Sequence, residues 1–139
     1  MQRLEFVQQF SAPVDRVYAH LAEHENLGPL FGARIERVRD GDTSRNGVGS
    51  VRRLKVGPLP WFEETVTAAV PDELIEYRIT QGSPLRDHVG TMRFTPEGTG
   101  TRLDYVIAFR GVLPGIDRVV APGLSKNVRN GLAGVAGTL

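Results

Sequence analysis

The stretch LRDHVGTMRF, residues 85–94, puts a histidine where strand alternation calls for an apolar side chain. Counting back by twos from Phe94 gives Met92, Gly90 and His88, while Arg93, Thr91 and Val89 form the water-tolerant set. Successive strand residues face opposite ways, so His88 shares the buried side. Glu64 is placed the same way in FEETV, between Phe62 and Val66. Closing a turn at Val70–Glu73 sets Glu64 opposite Ile79, and closing one within QGSPLR sets Ile79 opposite His88. Two strand spacings, about 9–10 Å, then separate carboxylate from imidazole. Across a flat sheet the two do not touch, but both reach one ligand. An imidazole with an ordinary pKa of about 6.5 and a carboxylate raised by an apolar cavity can trade a proton at neutral pH. Tyr77 and Tyr105 add hydroxyl donors for a ligand carbonyl. Three uses of His88 stay open: proton transfer with Glu64, lining a pocket without chemistry, and hydrogen-bonded packing. A one-residue slip of register puts Glu63 inside in place of Glu64.

Arg52 raises a related question. If Leu54 and Val56 point inward so does Arg52, where it either pairs with Glu64 or holds an anionic head group; near a strand end it can instead reach water. HLAEH, His20 to His24, matches H-x-x-E-H, an inverted zinc-protease pattern with two histidines on one helix face and Glu23 as base. Against it, Leu21 belongs to an apolar stripe, Gly28-Pro29 follows within a turn, and the last helical stretch offers no Glu or His as a third ligand. No metal and no cofactor are expected. GVGSVR lacks the third glycine and the following helix of a dinucleotide loop, and no phosphate loop or G-x-S-x-G elbow is present. Trp61 and Phe62 after GPLP suit a hydrophobic lip, a membrane or dimer contact, or simple entry of one ring into the core.

At 139 residues the chain fits one domain, large enough to hold a cavity beside a core. Its 40% apolar and 24% charged content is that of an ordinary soluble globular protein, with 16 glycines the one excess. No run of about 18 apolar residues and no charged-then-apolar leader is present, so neither stable membrane insertion nor secretion is expected and the default location is the cytoplasm. The absence of cysteine removes disulfides, thiolate metal sites and cysteine nucleophiles. The net charge of +1 conceals a basic stretch: Arg34, Arg37, Arg39, Arg45, Arg52, Arg53 and Lys55 against Glu36, Asp40 and Asp42. No recognition module or interleaved aromatic set accompanies it, so a solvated strand face is expected rather than a nucleic-acid partner.

The elements that must position these groups follow from periodicity. Residues 3–10 alternate as a strand, with Leu4, Phe6 and Phe10 on one side. In SAPVDRVYAHLAEHENLGPLF the period changes to 3.6: Ser11 can cap, Pro13 sits in the first turn, Val14, Val17, Tyr18 and Leu21 form a stripe, and Gly28-Pro29 stops any helix that follows. From 33 to 111, turn-rich segments separate six strand-like runs, which implies an antiparallel meander. After Pro114-Gly115, the positions Ile116, Val119, Val120, Leu124, Val128, Leu132 and Val135 keep helical spacing opposite Arg118, Lys126 and Arg129, with Pro122 expected to kink or divide the helix. Seven strands cannot leave an apolar face wet, and only this helix is long enough to cover it. The fold class is α+β: a curved seven-stranded antiparallel sheet gripping a long C-terminal helix, with two short helices between strands 1 and 2. One helix does not fill such a concavity, so a ligand cavity is expected between them. Strand parity and helix facing nominate Phe6, Arg52, Phe62, Val66, Tyr77, Ile79, Met92, Tyr105, Ile107, Phe109, Leu124 and Val128 as its binding residues, with Glu64 and His88 as the candidate catalytic pair.

FSAPVDRVYAHLAEHENLGPLF at the start, FEETVTAAVPDELIEYRITQGSPLRDHVGTMRFTPEGTGTRLDYVIAFR in the middle and the helix after LPG together resemble the START-like, birch-pollen-allergen-like helix-grip superfamily (SRPBCC), in particular its bacterial polyketide cyclase/dehydrase and lipid-transport branch. The resemblance spans the whole chain. It implies binding of a hydrophobic small molecule such as a lipid or polyketide, with chemistry in only some branches; a monomer and a homodimer both stay open. No catalytic residue set carries over. Three classes therefore remain: a binder of a hydrophobic or aromatic ligand, a cyclase, dehydratase or hydrolase using His88 and Glu64, and a protein-interaction or chaperone-activating module.

Overall fold

The computed structural model describes residues 1–83, 85–111 and 115–139. Its elements run β1 (Gln2–Phe10), α1 (Val14–Ala22), a 3-10 turn (His24–Asn26), α2 (Gly28–Phe31), β2 (Arg34–Arg39), β3 (Val51–Lys55), β4 (Phe62–Val70), β5 (Leu74–Gln81), β6 (Leu85–Glu97), β7 (Gly100–Gly111) and α3 (Ile116–Thr138). Pro84 in the QGSPLR turn, the Leu113-Pro114 of LPG and the side chain of Ile116 lie outside the described residues.

The described strands form one sheet ordered β1-β7-β6-β5-β4-β3-β2, with antiparallel neighbours throughout. The order follows from the turns: each short connection folds a strand back on its predecessor, and only β1 is carried to the far edge, where it pairs with β7. Alternation decides the faces. In β7, Leu103, Tyr105, Ile107 and Phe109 are all buried, with half-buried Asp104, Val106 and Ala108 between them. Onto this concave face α3 lays Ala121, Val128, Leu132 and Val135, while α2 adds Leu30 and Phe31. No helix of the described residues is long and apolar enough to cross a membrane.

Four local expectations are corrected. Ser11 does not cap α1: Pro13 occupies the N-cap in an extended conformation, and Ser11, two residues upstream, is exposed. Gly28-Pro29 opens a helix instead of stopping one. Pro29 stands in the first turn of α2, where its missing N–H costs nothing, and the left-handed Gly32 (φ 61°) closes it. Of the two outcomes expected at Pro122, a kink or a division, division does not occur, and α3 runs through it. Val119 faces away from the sheet at 78% exposure, and Ala121 takes its place on the buried side.

The glycines of α3 are not equivalent. A Cβ on Gly131 would lie 2.7 Å from Leu30 Cα and 3.0 Å from Pro29 O, so its bare backbone is what lets α3 and α2 pack. Gly134 meets nothing within 4 Å. Urea denaturation should therefore report opposite signs for one substitution. Gly134→Ala gains about 0.5–1 kcal/mol from helix propensity, whereas Gly131→Ala loses about 1–3 kcal/mol because backbone atoms must move apart.

Candidate functional site

A cavity of about 270 Å³ opens at one end of the space between sheet and helix. The strands contribute Leu54, Phe62 and Glu64, Tyr77 and Ile79, Leu85 and His88, and Ile107; Val56, Leu59, Pro60 and Ser83 come from connections. The helices close it with Phe31 from α2 and Val120, Gly123, Leu124 and Asn127 from α3. The cavity sits here because α3 fills the other end of the concavity with Val128, Leu132 and Val135, whereas small Gly123 and half-buried Leu124 leave space against β4–β6.

Besides Ser83 and Asn127, its polar residues are Glu64, Tyr77 and His88, which belong to one buried cluster with Arg52. Arg52 and Glu64 are directly opposite on β3 and β4, and both are buried, at 2% and 4% exposure. Arg52 Nε donates to Glu64 Oε1 at 2.8 Å; Nη2 lies equally close to that oxygen, but its N–H bonds miss it, leaving that nitrogen without a hydrogen-bond partner. The guanidinium also stands 4.7 Å over the Tyr77 ring and 5.9 Å from that of Phe31. Glu64 Oε2 lies 4.0 Å from His88 Nε2, and the Ile79 N–H donates to His88 Nδ1 at 3.1 Å. That donor requires an unprotonated Nδ1, so the neutral ring carries its proton on Nε2, facing Glu64. Burial pushes the His88 pKa down; Glu64 opposes the shift and Arg52 adds to it. The Tyr77 and Tyr105 hydroxyls hydrogen-bond each other, and burial raises both pKa values. The Tyr77 ring lies against Gly90, whose position admits no side chain.

Among the sequence-nominated residues, Phe62, Glu64, Tyr77, Ile79, His88, Ile107 and Leu124 line the cavity. Phe6, Val66, Met92, Tyr105, Phe109 and Val128 are buried core that does not reach it, and Arg52 lies behind Glu64. One geometric expectation is overturned. Glu64 and His88 do keep Ile79 between them, yet they approach to 4.0 Å instead of remaining about two strand spacings apart. Side chains on the concave face of a curved sheet converge, which a flat-sheet count ignores. Leu85 was missed for a related reason. Asp87 adopts a left-handed conformation (φ 52°) and the β6–β7 register shifts between Arg86 and Val89, so parity counted from His88 fails beyond it. Leu59, Pro60 and Ser83 lie on connections and Phe31 ends the four-residue α2, all too short for periodicity to carry a signal.

The histidines of HLAEH do not share a helix face. Helix α1 ends at Ala22, Glu23 is extended, and Glu23 binds Arg37 at 2.7 Å. His24 turns inward with no exposure and bonds Ser50 Oγ at 3.0 Å, while the Ser50 hydroxyl donates to Gly47 O at 2.7 Å. Burial, with Arg52 and Arg37 nearby, lowers its pKa to about 3. The basic stretch is largely taken up in local pairs: Arg37 with Glu23, Glu25 and Asp40, Arg39 with Asp42, Arg45 with Glu23, and Arg53 with Glu36. Trp61 is held outside the cavity between Arg34 and Arg53.

A family model described as polyketide cyclase / dehydrase and lipid transport matches residues 1–139. The chain belongs to this family. No curated protein matches its sequence. Among solved structures, a START superfamily protein from Mycobacterium smegmatis aligns with TM-score 0.80 at 14% identity, over 98% of this chain and 97% of that one. The Zhui aromatase/cyclase from Streptomyces sp. R1128 aligns with TM-score 0.76 at 20% identity, over 98% and 93%. A norcoclaurine synthase point mutant from Thalictrum flavum, in complex with a transition-state analogue, gives 0.69 at 14% identity, over 97% and 93%. At these identities the likeness is one of fold, here the helix-grip architecture of a curved seven-stranded antiparallel sheet and one long C-terminal helix.

Two stability predictions follow from the buried groups. Arg52→Met alone should cost about 3–5 kcal/mol in urea denaturation by stranding a buried carboxylate, and adding Glu64→Leu should recover most of that loss. His24, at a pKa of about 3 when folded, takes up its proton at about pH 6.5 when unfolded. The unfolded state therefore binds more protons between those values, and stability is complete above pH 6.5 and falls as pH drops. Between pH 7 and pH 5, His24 should account for about 2 kcal/mol of loss, with His88 contributing in the same direction; His24→Gln should remove most of that slope.

Proposed function

We propose that the protein binds a hydrophobic or aromatic small molecule in the cavity between β3–β7 and α3. The observation that carries this reading is the cavity itself: about 270 Å³, walled mainly by apolar side chains, with Glu64, His88 and Tyr77 converging on one wall. Enclosed apolar space with a few placed polar groups is what a small-molecule site requires, because burial supplies affinity and the polar groups supply orientation. Phe62, Ile79, Ile107 and Leu124 would contact the ligand frame. Phe6, Val66, Met92, Tyr105, Phe109 and Val128 would support the wall from behind, and Arg52 would hold Glu64 in place.

The 4.0 Å approach of His88 Nε2 to Glu64 Oε2 favours a second reading, acid–base chemistry of the cyclase, dehydratase or hydrolase kind. The protonation pattern ranks it below binding. A neutral imidazole with its proton on Nε2 and its Nδ1 accepting from Ile79 offers no free basic nitrogen. Giving up the Nε2 proton would leave an imidazolate. In this state His88 orients a ligand and Glu64 is the only base of the pair.

Fluorescence titration with N-phenyl-1-naphthylamine tests the binding reading. The wild-type protein should take up the dye, and Leu124→Trp, which fills the cavity from α3, should weaken uptake about tenfold or more with little change in melting temperature. Equal uptake by both proteins would place the dye elsewhere and overturn the reading. Turnover of an aromatic polyketide-like ester or ketone that vanishes in Glu64→Gln would instead promote the second.

A further inference from the structure

The polar wall also constrains what kind of ligand the cavity accepts. Among the described residues Arg52 is the only buried Lys or Arg; Nε binds Glu64 Oε1, the guanidinium lies over the Tyr77 ring, Nη2 has no hydrogen-bond partner, and Arg52 does not line the cavity. The charges of the pair cancel, so the cavity presents no net cation to an anionic ligand. Of the polar residues that line the space, which also include Tyr77, Ser83 and Asn127, Glu64 keeps an oxygen, Oε2, that Arg52 leaves alone, and beside it lies the Nε2–H of His88. The 4.0 Å between those atoms is too long for a hydrogen bond of their own. It suits one inserted group that donates to the carboxylate and accepts from the imidazole.

A hydroxyl does both. A carboxylate or sulfonate can accept from His88 but brings a second negative charge against Glu64 in a low-dielectric pocket, where like charges repel strongly. A hydrocarbon leaves both polar groups unpaired once water is expelled. The volume of about 270 Å³ lies just below the ~300–1,000 Å³ typical of drug-sized sites, so the frame is small, on the order of two fused rings.

Resting on the binding reading above, we propose that the cavity selects small neutral phenols or alcohols, whose hydroxyl bridges Glu64 Oε2 and His88 Nε2, and that it rejects carboxylates of the same size. The Tyr77 ring, 5.5 Å from that of His88 and seated on Gly90, braces the imidazole in this position.

Competition against bound N-phenyl-1-naphthylamine at pH 7.5 with 2-naphthol, naphthalene and 2-naphthoate separates the possibilities with one ring system. The expected result is that naphthol displaces the dye at concentrations about tenfold or more below those needed for either of the others. In Glu64→Gln, where Arg52 keeps an amide oxygen but the negative charge is gone, naphthoate should gain relative to naphthol. If that variant does not fold, the wild-type series decides alone. Naphthoate binding as tightly as naphthol, or all three binding alike, overturns the inference. Dye that enters the cavity but is displaced by none of the three defeats the hydroxyl preference and leaves the binding reading standing; dye that never enters defeats both.

Discussion

The ion pair between Arg52 and Glu64 is the constraint around which the site is arranged. Two charges taken out of water hold together only if each finds the other at hydrogen-bond distance, and directly opposed positions on β3 and β4 provide this at 2.8 Å. The pair then dictates its surroundings. The guanidinium needs aromatic faces and finds those of Tyr77 and Phe31. The second carboxylate oxygen needs donors, and His88 stands nearest with its protonated nitrogen turned toward it. Tyr77, wedged between Arg52 and His88, requires the bare Gly90 beneath it. A polar cluster inside an otherwise apolar core is thereby assembled from residues on four strands and α2, each placed by another.

Curvature is what brings these strands' side chains together. The antiparallel meander bends round α3, so the concave faces of β4, β5 and β6 lean inward and a carboxylate meets an imidazole two strands away. A single helix fills only part of that concavity. Where α3 carries Val128, Leu132 and Val135 the interior is solid, and where it carries Gly123 and Leu124 it is open. The cavity is thus a consequence of side-chain size along one helix, set against a sheet too wide for it.

Much of the fold was legible in the residue order because alternation and turn chemistry are local. The hairpin-spaced Gly, Pro and Asp clusters delimit β2 to β7, and parity in β7 and in β6 from His88 to Phe94 assigns the buried face correctly. The failures are local too, and each has a steric cause. Ser11 is separated from the helix start by Pro13, Gly28-Pro29 fits a first turn as well as it ends one, and Asp87 absorbs an extra residue that reverses parity for Leu85. In HLAEH the spacing is right for a shared face, but the helix that would display it ends at Ala22, and His24 is drawn inward to Ser50.

Residue order by itself determined the strands, the covering helix, the inward placement of His88 and the dependence of Arg52 on its neighbours' parity, because side-chain direction in a strand alternates whatever the rest of the chain does; the choice of Glu64 over Glu63 it left to the register. Tertiary structure alone decided which buried residues touch empty space. Phe62 and Val66 share a strand and a face, yet only Phe62 reaches the cavity; Phe31 and Leu59, from segments without period, also line it. Distances between strands, the choice of Arg52 for Glu64 over water, and the nitrogen on which His88 keeps its proton depend on curvature and on donors supplied by other segments. No pattern read along one strand contains them.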